Sequence, residues 1–140
     1  MLDLIDTLHA QHDEIAQIVD RVNDATTRGD VESVAKELDA LATAVLAHLE
    51  VEDSRLYPAL TRAAERTQLE VPAKIARTYE HNMQTISIAL KAFLEKYSHS
   101  FVLDDFKRDW PLVCQLLTDR IASEEQTLYP LYTSWVGGET

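Results

Sequence analysis

One eleven-residue stretch is used twice in this chain. His48-Leu-Glu-Val-Glu52-Asp-Ser-Arg-Leu-Tyr-Pro58 returns 72 residues later as Arg120-Ile-Ala-Ser-Glu124-Glu-Gln-Thr-Leu-Tyr-Pro130. Glu, Leu, Tyr and Pro are identical, and Leu49/Ile121 and Asp53/Glu125 are conservative replacements. An internal repeat reveals the unit from which a fold is built. This one also carries chemistry. His48 and Glu52 lie four residues apart, so a helix sets them on one face at a metal-ligand spacing. In the second copy Glu124 is kept, but Arg120 stands where the histidine would be.

The rest of the composition narrows the fold to helices. Three Gly and four Pro in 140 residues leave few breakers, and abundant Ala, Leu and Glu favour helix over strand. Residues 1–140 are read as a single domain, long enough to bury a core without staples. No apolar run reaches the length of a membrane span, and Met1-Leu-Asp-Leu-Ile-Asp6 lacks a secretory n-region. A net charge of −11 opposes nucleic-acid binding, which needs clustered Lys and Arg. The single Cys114 cannot close an internal disulfide and points to a reducing cytosol.

Breakers fall at Arg28-Gly29-Asp30, at Thr67 to Pro72 and at Ser98 to Leu103. Asp30 and Asp104 are the expected helix caps, and Pro72 is expected in a first turn. Four helices follow, over about 3–28, 31–66, 73–97 and 104–135. Short connections make them antiparallel neighbours in an up-down-up-down four-helix bundle of two hairpins. Pro58, Pro111 and Pro130 are expected to kink or end the second and fourth helices locally. The expected inward stripes are Ile5, Leu8, His12, Ile15, Val19 and Val22, then Leu38, Leu41, Val45, His48, Glu52 and Leu56. The third helix offers Ile75, Thr78, His81, Thr85 and Ile88, and the fourth Val113, Leu117, Arg120, Glu124 and Leu128.

The turns act as rulers. His12 lies 17 residues before Gly29 and His48 lies 18 after Asp30, so the two sit at one level. His81 to Ser98 and Leu103 to Arg120 are also 17 residues each. At a constant rise per residue, His81 and Arg120 share a level too. Three imidazoles and two carboxylates (Glu52, Glu124) therefore converge inside the bundle. Two unpaired carboxylates cost several kcal/mol to bury or must take up protons. A cation resolves this, because carboxylates balance its charge and neutral imidazoles supply lone pairs. Mixed nitrogen and oxygen donors suit iron, manganese or zinc, and iron is the usual choice where carboxylates bridge two ions in a bundle.

With these residues in hand, the chain resembles the hemerythrin-like HHE cation-binding family over essentially its whole length. The matching motifs are Leu8-His-Ala-Gln-His12-Asp-Glu-Ile, His48-xxx-Glu52-Asp-xx-Leu-Tyr-Pro, Tyr79-Glu-His81 and Glu124-Glu-xx-Leu-Tyr-Pro130. The resemblance implies a non-haem di-iron site with Glu52 and Glu124 bridging. It sets His12 and His48 on one iron and His81 on the other. It implies binding of oxygen or nitric oxide, iron or redox sensing, or peroxide handling. Two departures fall on the His81 side, where the pattern's histidines are replaced by Arg77 and Arg120. Arginine does not ligate.

Arg120 admits three readings. It forks onto Glu124 or Glu52 in place of a second metal; it swings to solvent, leaving water, Glu80 or Glu125 to complete a second ion; or it joins a metal-free ion-pair network. The functional readings follow the same division. The first is a protein that binds one or two non-haem irons and binds or senses a diatomic ligand (O2 or NO) or iron and redox state. The others are a di-iron oxidase or peroxide-decomposing enzyme, and a metal-free helical interaction module in stress signalling. A monomer or homodimer is expected, and the C-terminal Leu131 to Val136 segment is expected to cap the bundle or form a dimer edge. Tyr57 and Tyr129 are expected as core or as hydrogen-bond donors to the ligands. His9 is expected at the surface, and Asp53 and Glu125 as solvated or supporting groups. Cys114, Trp110 and Trp135 are expected in the core or at its edge, and no role is expected for the loop residue His99.

Overall fold

The computed structural model describes residues 3–67, 70–98 and 100–136. Every regular element among them is helical: α1 (Leu4–Arg28), α2 (Val31–Val51), α3 (Tyr57–Thr67), α4 (Glu70–Lys96), α5 (Leu103–Ser123) and α6 (Tyr129–Trp135). Glu52–Leu56 joins α2 to α3, and Glu124–Leu128 joins α5 to α6, each as one wide π-turn. The six helices therefore form four rods. Rod contacts run α1 to α2, α2 to α4, α4 to α5 and α5 back to α1, which closes a four-helix bundle.

Local chemistry explains the first hairpin. The Asp3 carboxylate accepts the Asp6 N–H at 2.8 Å and starts α1. Gly29 ends it at φ +69°, a left-handed conformation that costs glycine little. Its N–H reaches Thr26 O at 3.1 Å and the Asp30 N–H reaches Ala25 O at 3.0 Å. Asp30 then caps α2, accepting from the Ser33 N–H at 3.2 Å and the Ser33 hydroxyl at 2.7 Å. The second hairpin starts differently from expectation. α5 opens at Leu103 after an extended Val102 with no side-chain cap, and Asp104 sits in the first turn. There its charge favours the positive helix end. α4 also begins three residues earlier than expected, at Glu70. The expected break at Gln68 and Leu69 and the loop residue His99 lie outside the described residues.

The prolines act unequally. Pro58 and Pro130 each follow a π-turn closed by a Tyr N–H, from Tyr57 to Glu52 O and from Tyr129 to Glu124 O. A proline in a regular helix would press on the carbonyl four residues back and leave it without a donor. A wider turn relieves both. Pro111 has no such effect, and α5 runs through it unbroken from Leu103 to Ser123.

Two hydrophobic cores stack along the bundle. The larger contains Ile15, Val22, Leu38, Val45, Leu90, Phe93, Phe106 and Trp110. The smaller contains Leu8, Leu56, Tyr57, Leu60, Leu128 and Tyr129, with Leu131, Tyr132 and Trp135 packed against it. The expected cap on the bundle end is thus formed by the C-terminal aromatic residues. Cys114 is partly buried against the larger core.

The inward face of α4 departs from expectation. Ile88 is 71% exposed and Thr78, His81 and Thr85 are exposed, whereas Ala76, Met83, Leu90, Phe93 and Tyr97 are buried. Burial decides the phase. A stripe of Met, Leu, Phe and Tyr removes far more apolar surface from water than one of Ile, Thr, His and Thr.

Candidate metal centre

Between the two cores, one turn after Leu8 on α1 and one turn after Ala44 and Val45 on α2, the apolar stripes turn polar. The buried polar residues there are His12, His48, Glu52, Arg120 and Glu124. Both glutamates are fully buried (0% exposed) at the first position of a π-turn. Such turns recur at functional sites, and here the effect is geometric. In a regular helix the residue five positions on points about 140° away. The wide turn brings it back over the glutamate, so Tyr129 reaches the cluster from the same rod as Glu124.

Four of the five residues expected as ligands meet. His12 Nε2 lies 2.9 Å from Glu124 Oε1 and 3.1 Å from His48 Nε2, and His48 Nε2 lies 3.3 Å from Glu124 Oε1 and 3.5 Å from Glu52 Oε2. Donors sharing one ion at about 2.1 Å stand about 3 Å from one another, so His12, His48 and Glu124 have the spacing of one coordination sphere, with Glu52 Oε2 beside His48. The outer nitrogens fix the tautomers. His12 Nδ1 lies 2.9 Å from Glu125 Oε1, and His48 Nδ1 lies 2.9 Å from Gln11 Oε1. Both partners accept, so each Nδ1 carries a proton and each Nε2 can turn a lone pair inward.

Acceptors outnumber protons in the middle. Tyr129 Oη lies 3.0 Å from His12 Nε2, 3.2 Å from Glu52 Oε2 and 3.4 Å from Glu124 Oε1, and a single hydroxyl proton serves one of them. Glu52 Oε1 and Glu124 Oε2 are buried with no hydrogen-bond partner among the described residues. Orphaned buried acceptors cost about 1–3 kcal/mol each. A cation among His12, His48, Glu52 and Glu124 would answer all of these deficits, so the residues present fit a metal ion.

Without a cation, protons divide the pair. Burial, and then the neighbouring Glu124 carboxylate, push the Glu52 carboxyl up to about 10. Burial also opposes charge on Glu124, but hydrogen bonds from His12 and His48 outweigh it and hold that carboxyl well below its usual range. Burial lowers His12, yet its contacts with Glu124 and Glu125 leave it raised overall. The surroundings thus bias Glu52 towards its neutral form and Glu124 towards its charged one.

The structure does not bring His81 to this cluster. The residue is exposed on α4, where Met83 and Leu90 take the inner face. Arg120 occupies that side of the centre, 9% exposed. Its Nη2 donates to Tyr79 O at 2.7 Å, its guanidinium lies 4.4 Å from the Tyr79 ring centroid, and its Nε has no partner among the described residues. Tyr79 is anchored in turn at 2.6 Å to the Ser123 hydroxyl. Arg120 thus neither forks onto the glutamates nor turns to solvent. It sits on α4 as a fixed charge, near enough to act against the upward shifts of Glu52 and Tyr57. The exposed Arg77 contributes nothing to the cluster.

Three supporting residues went unassigned in the sequence or were given minor roles. Gln11 orients His48. Glu125 orients His12 and also meets the exposed His9 at 3.1 Å. Tyr129 enters the centre itself. Gln11 adjoins His12 on the next helical position, and only the fold shows that it reaches His48.

The chain matches the family model described as the hemerythrin HHE cation binding domain over residues 3–132. It belongs to that family. No curated protein and no solved structure matches it. Among the described residues, no helix is long and apolar enough to cross a membrane.

Proposed function

We propose that this protein is a non-haem iron protein that holds one iron at His12, His48, Glu52 and Glu124 and serves as a binding or sensing module for oxygen, nitric oxide or the iron and redox state of the cytosol. The observation that carries this reading is the triangle of His12 Nε2, His48 Nε2 and Glu124 Oε1 at 2.9–3.3 Å, with both outer nitrogens pinned by acceptors. Two imidazoles and two carboxylates suit iron, with manganese and zinc as competitors. Iron would supply a redox-active centre with positions open to a small ligand.

The stoichiometry of one rests on Arg120 and His81. A second ion on the far side of the glutamates would need donors from α4 and α5, where the fold supplies a guanidinium and an outward-facing imidazole. Arg120 puts a permanent positive charge where a second cation would otherwise balance the carboxylates. A small cavity of about 10 Å3 borders His48, Arg120 and Glu124 and is walled by Ile15, Val45, Met83 and Leu117. That is the lower limit for a single water-sized guest, and its apolar wall disfavours a charged substrate.

Elemental analysis of chain expressed with iron, followed by electron paramagnetic resonance of the ferrous form with and without nitric oxide, tests the reading. The expected result is about one iron per chain and a new paramagnetic signal with nitric oxide. About two irons per chain would refute the role given to Arg120. No iron after anaerobic reconstitution would refute iron binding and favour the interaction module.

A further inference from the structure

We infer that Tyr129 is a direct ligand of the metal, its phenol oxygen completing a five-donor set with His12, His48, Glu52 and Glu124. This deepens the proposed iron site and rests on it.

The distances separate a ligand from a supporting hydrogen bond. A supporting hydroxyl points at one acceptor and lies well away from the rest. Tyr129 Oη instead lies 3.0, 3.2 and 3.4 Å from donor atoms on three different residues. That is close to the 2.9–3.3 Å that His12, His48 and Glu124 keep from one another and to the 3.5 Å between His48 Nε2 and Glu52 Oε2. The hydroxyl is therefore one more vertex of the same polyhedron. Its ring stacks on His12 at 5.4 Å between centroids with planes 22° apart, and the residue is 2% exposed, so its position is fixed by packing. The π-turn at Glu124–Leu128 is the cause, since it carries Tyr129 over Glu124 on the same rod.

The repeat supplies an internal control. Tyr57 holds the equivalent place after Glu52 and is as deeply buried, but its hydroxyl has no partner among the described residues. The nearby charges of Glu52, Glu124 and Arg120 act on it, but it makes none of the three short contacts that Tyr129 makes. Ligation by Tyr129 requires only that the phenol O–H proton leave to solvent as the oxygen–metal bond forms, with no change in oxidation state. Hard ferric iron favours an anionic oxygen donor of this kind.

The test loads the full chain with ferric citrate, removes excess iron, and measures iron content, visible absorption and resonance Raman scattering on the same sample. Ferric iron bound to phenolate gives a visible charge-transfer band whose excitation enhances phenolate ring modes. Wild type and Tyr57→Phe should show both, while Tyr129→Phe should lose both. If Tyr129→Phe cannot retain iron, persistence of the modes in Tyr57→Phe and their absence in that variant still favour Tyr129. Bound iron without phenolate modes, or modes that survive in Tyr129→Phe, overturns ligation by Tyr129 and leaves the iron site standing. A wild-type chain that binds no iron overturns both.

Discussion

Exchanging Leu90 and Ile88 for alanine, one at a time, tests the rotation of α4 on which the asymmetry of the site depends. Leu90 is 3% exposed in the larger core and Ile88 is 71% exposed. Truncating a buried leucine removes its transfer free energy and leaves a cavity, together about 2–5 kcal/mol. At about 4 °C per kcal/mol, that lowers the melting temperature by about 8–20 °C. Truncating Ile88 should stay within about 0.5 kcal/mol, and the better helix propensity of alanine offsets part of any loss. Circular dichroism melts of the metal-free protein read both values directly. Ile88 precedes the end of α4 by two turns and follows His81 by two turns, so the pair shares a face. His81→Ala should therefore leave stability and bound metal unchanged. An Ile88→Ala loss as large as that of Leu90→Ala, or metal lost from His81→Ala, would refute the orientation and restore His81 as a ligand.

Three further outcomes follow from the geometry. Gln11→Leu removes the acceptor that fixes the His48 tautomer and should weaken metal binding about 10–100-fold, as chelator competition will show; unchanged affinity would refute the tautomer argument. Gly29→Ala should cost about 1–2 kcal/mol in urea melts, because the nearest atom to an added Cβ is 4.0 Å away and only the left-handed backbone opposes it; Gly29→Asn should cost less. Hydrogen bonds from Lys96 and then Tyr97 pull the Asp109 carboxyl from 3.8 down to about 2. Its folded value lies below its unfolded one, so its stabilisation is complete above the unfolded value and fades as pH falls through the folded one. The gap in urea midpoint between wild type and Asp109→Asn should accordingly narrow between pH 3.8 and about 2, and a constant gap would show that ionisation plays no part.

The parts of the bundle that were legible in the sequence are those where one apolar stripe has no rival. On the first two rods the expected Leu8, His12, Ile15, Val19, Leu41, Val45, His48 and Glu52 are all buried, while Ile5 is only partly so and Leu4 and Ile18 join the face. The 17- and 18-residue rulers placed His12 and His48 at one level because Gly29 and Asp30 make a hinge too short for slippage. On α4 two stripes compete, one residue out of phase, and a His in the weaker stripe drew the reading towards it. His81 lies on the exposed side of α4. Gln11 and Glu125 were beyond reach for another reason. Each supports a ligand on a different rod, and such partnerships leave no spacing signal along one chain. Asp30 and Asp104 look alike as caps, yet extended backbone at Val102 opened α5 earlier, so only Asp30 receives helical N–H groups.

The two π-turns also set the timing between the ends of the bundle. Each inserts one residue beyond the helical count, so the rod below it is advanced by about 100° relative to an unbroken helix. Leu60 and Ala63 face the smaller core only because Glu52–Leu56 has made that advance, and Leu128 and Tyr129 do so after Glu124–Leu128. Straightening Glu52–Leu56 into a regular helix at unchanged length would swing Leu60 out to water while leaving Val45 and His48 in place, whereas deleting Arg55 would remove the extra residue and keep Leu60 inward. The extra residue beside each buried glutamate thus works as the index pin between two independently phased halves.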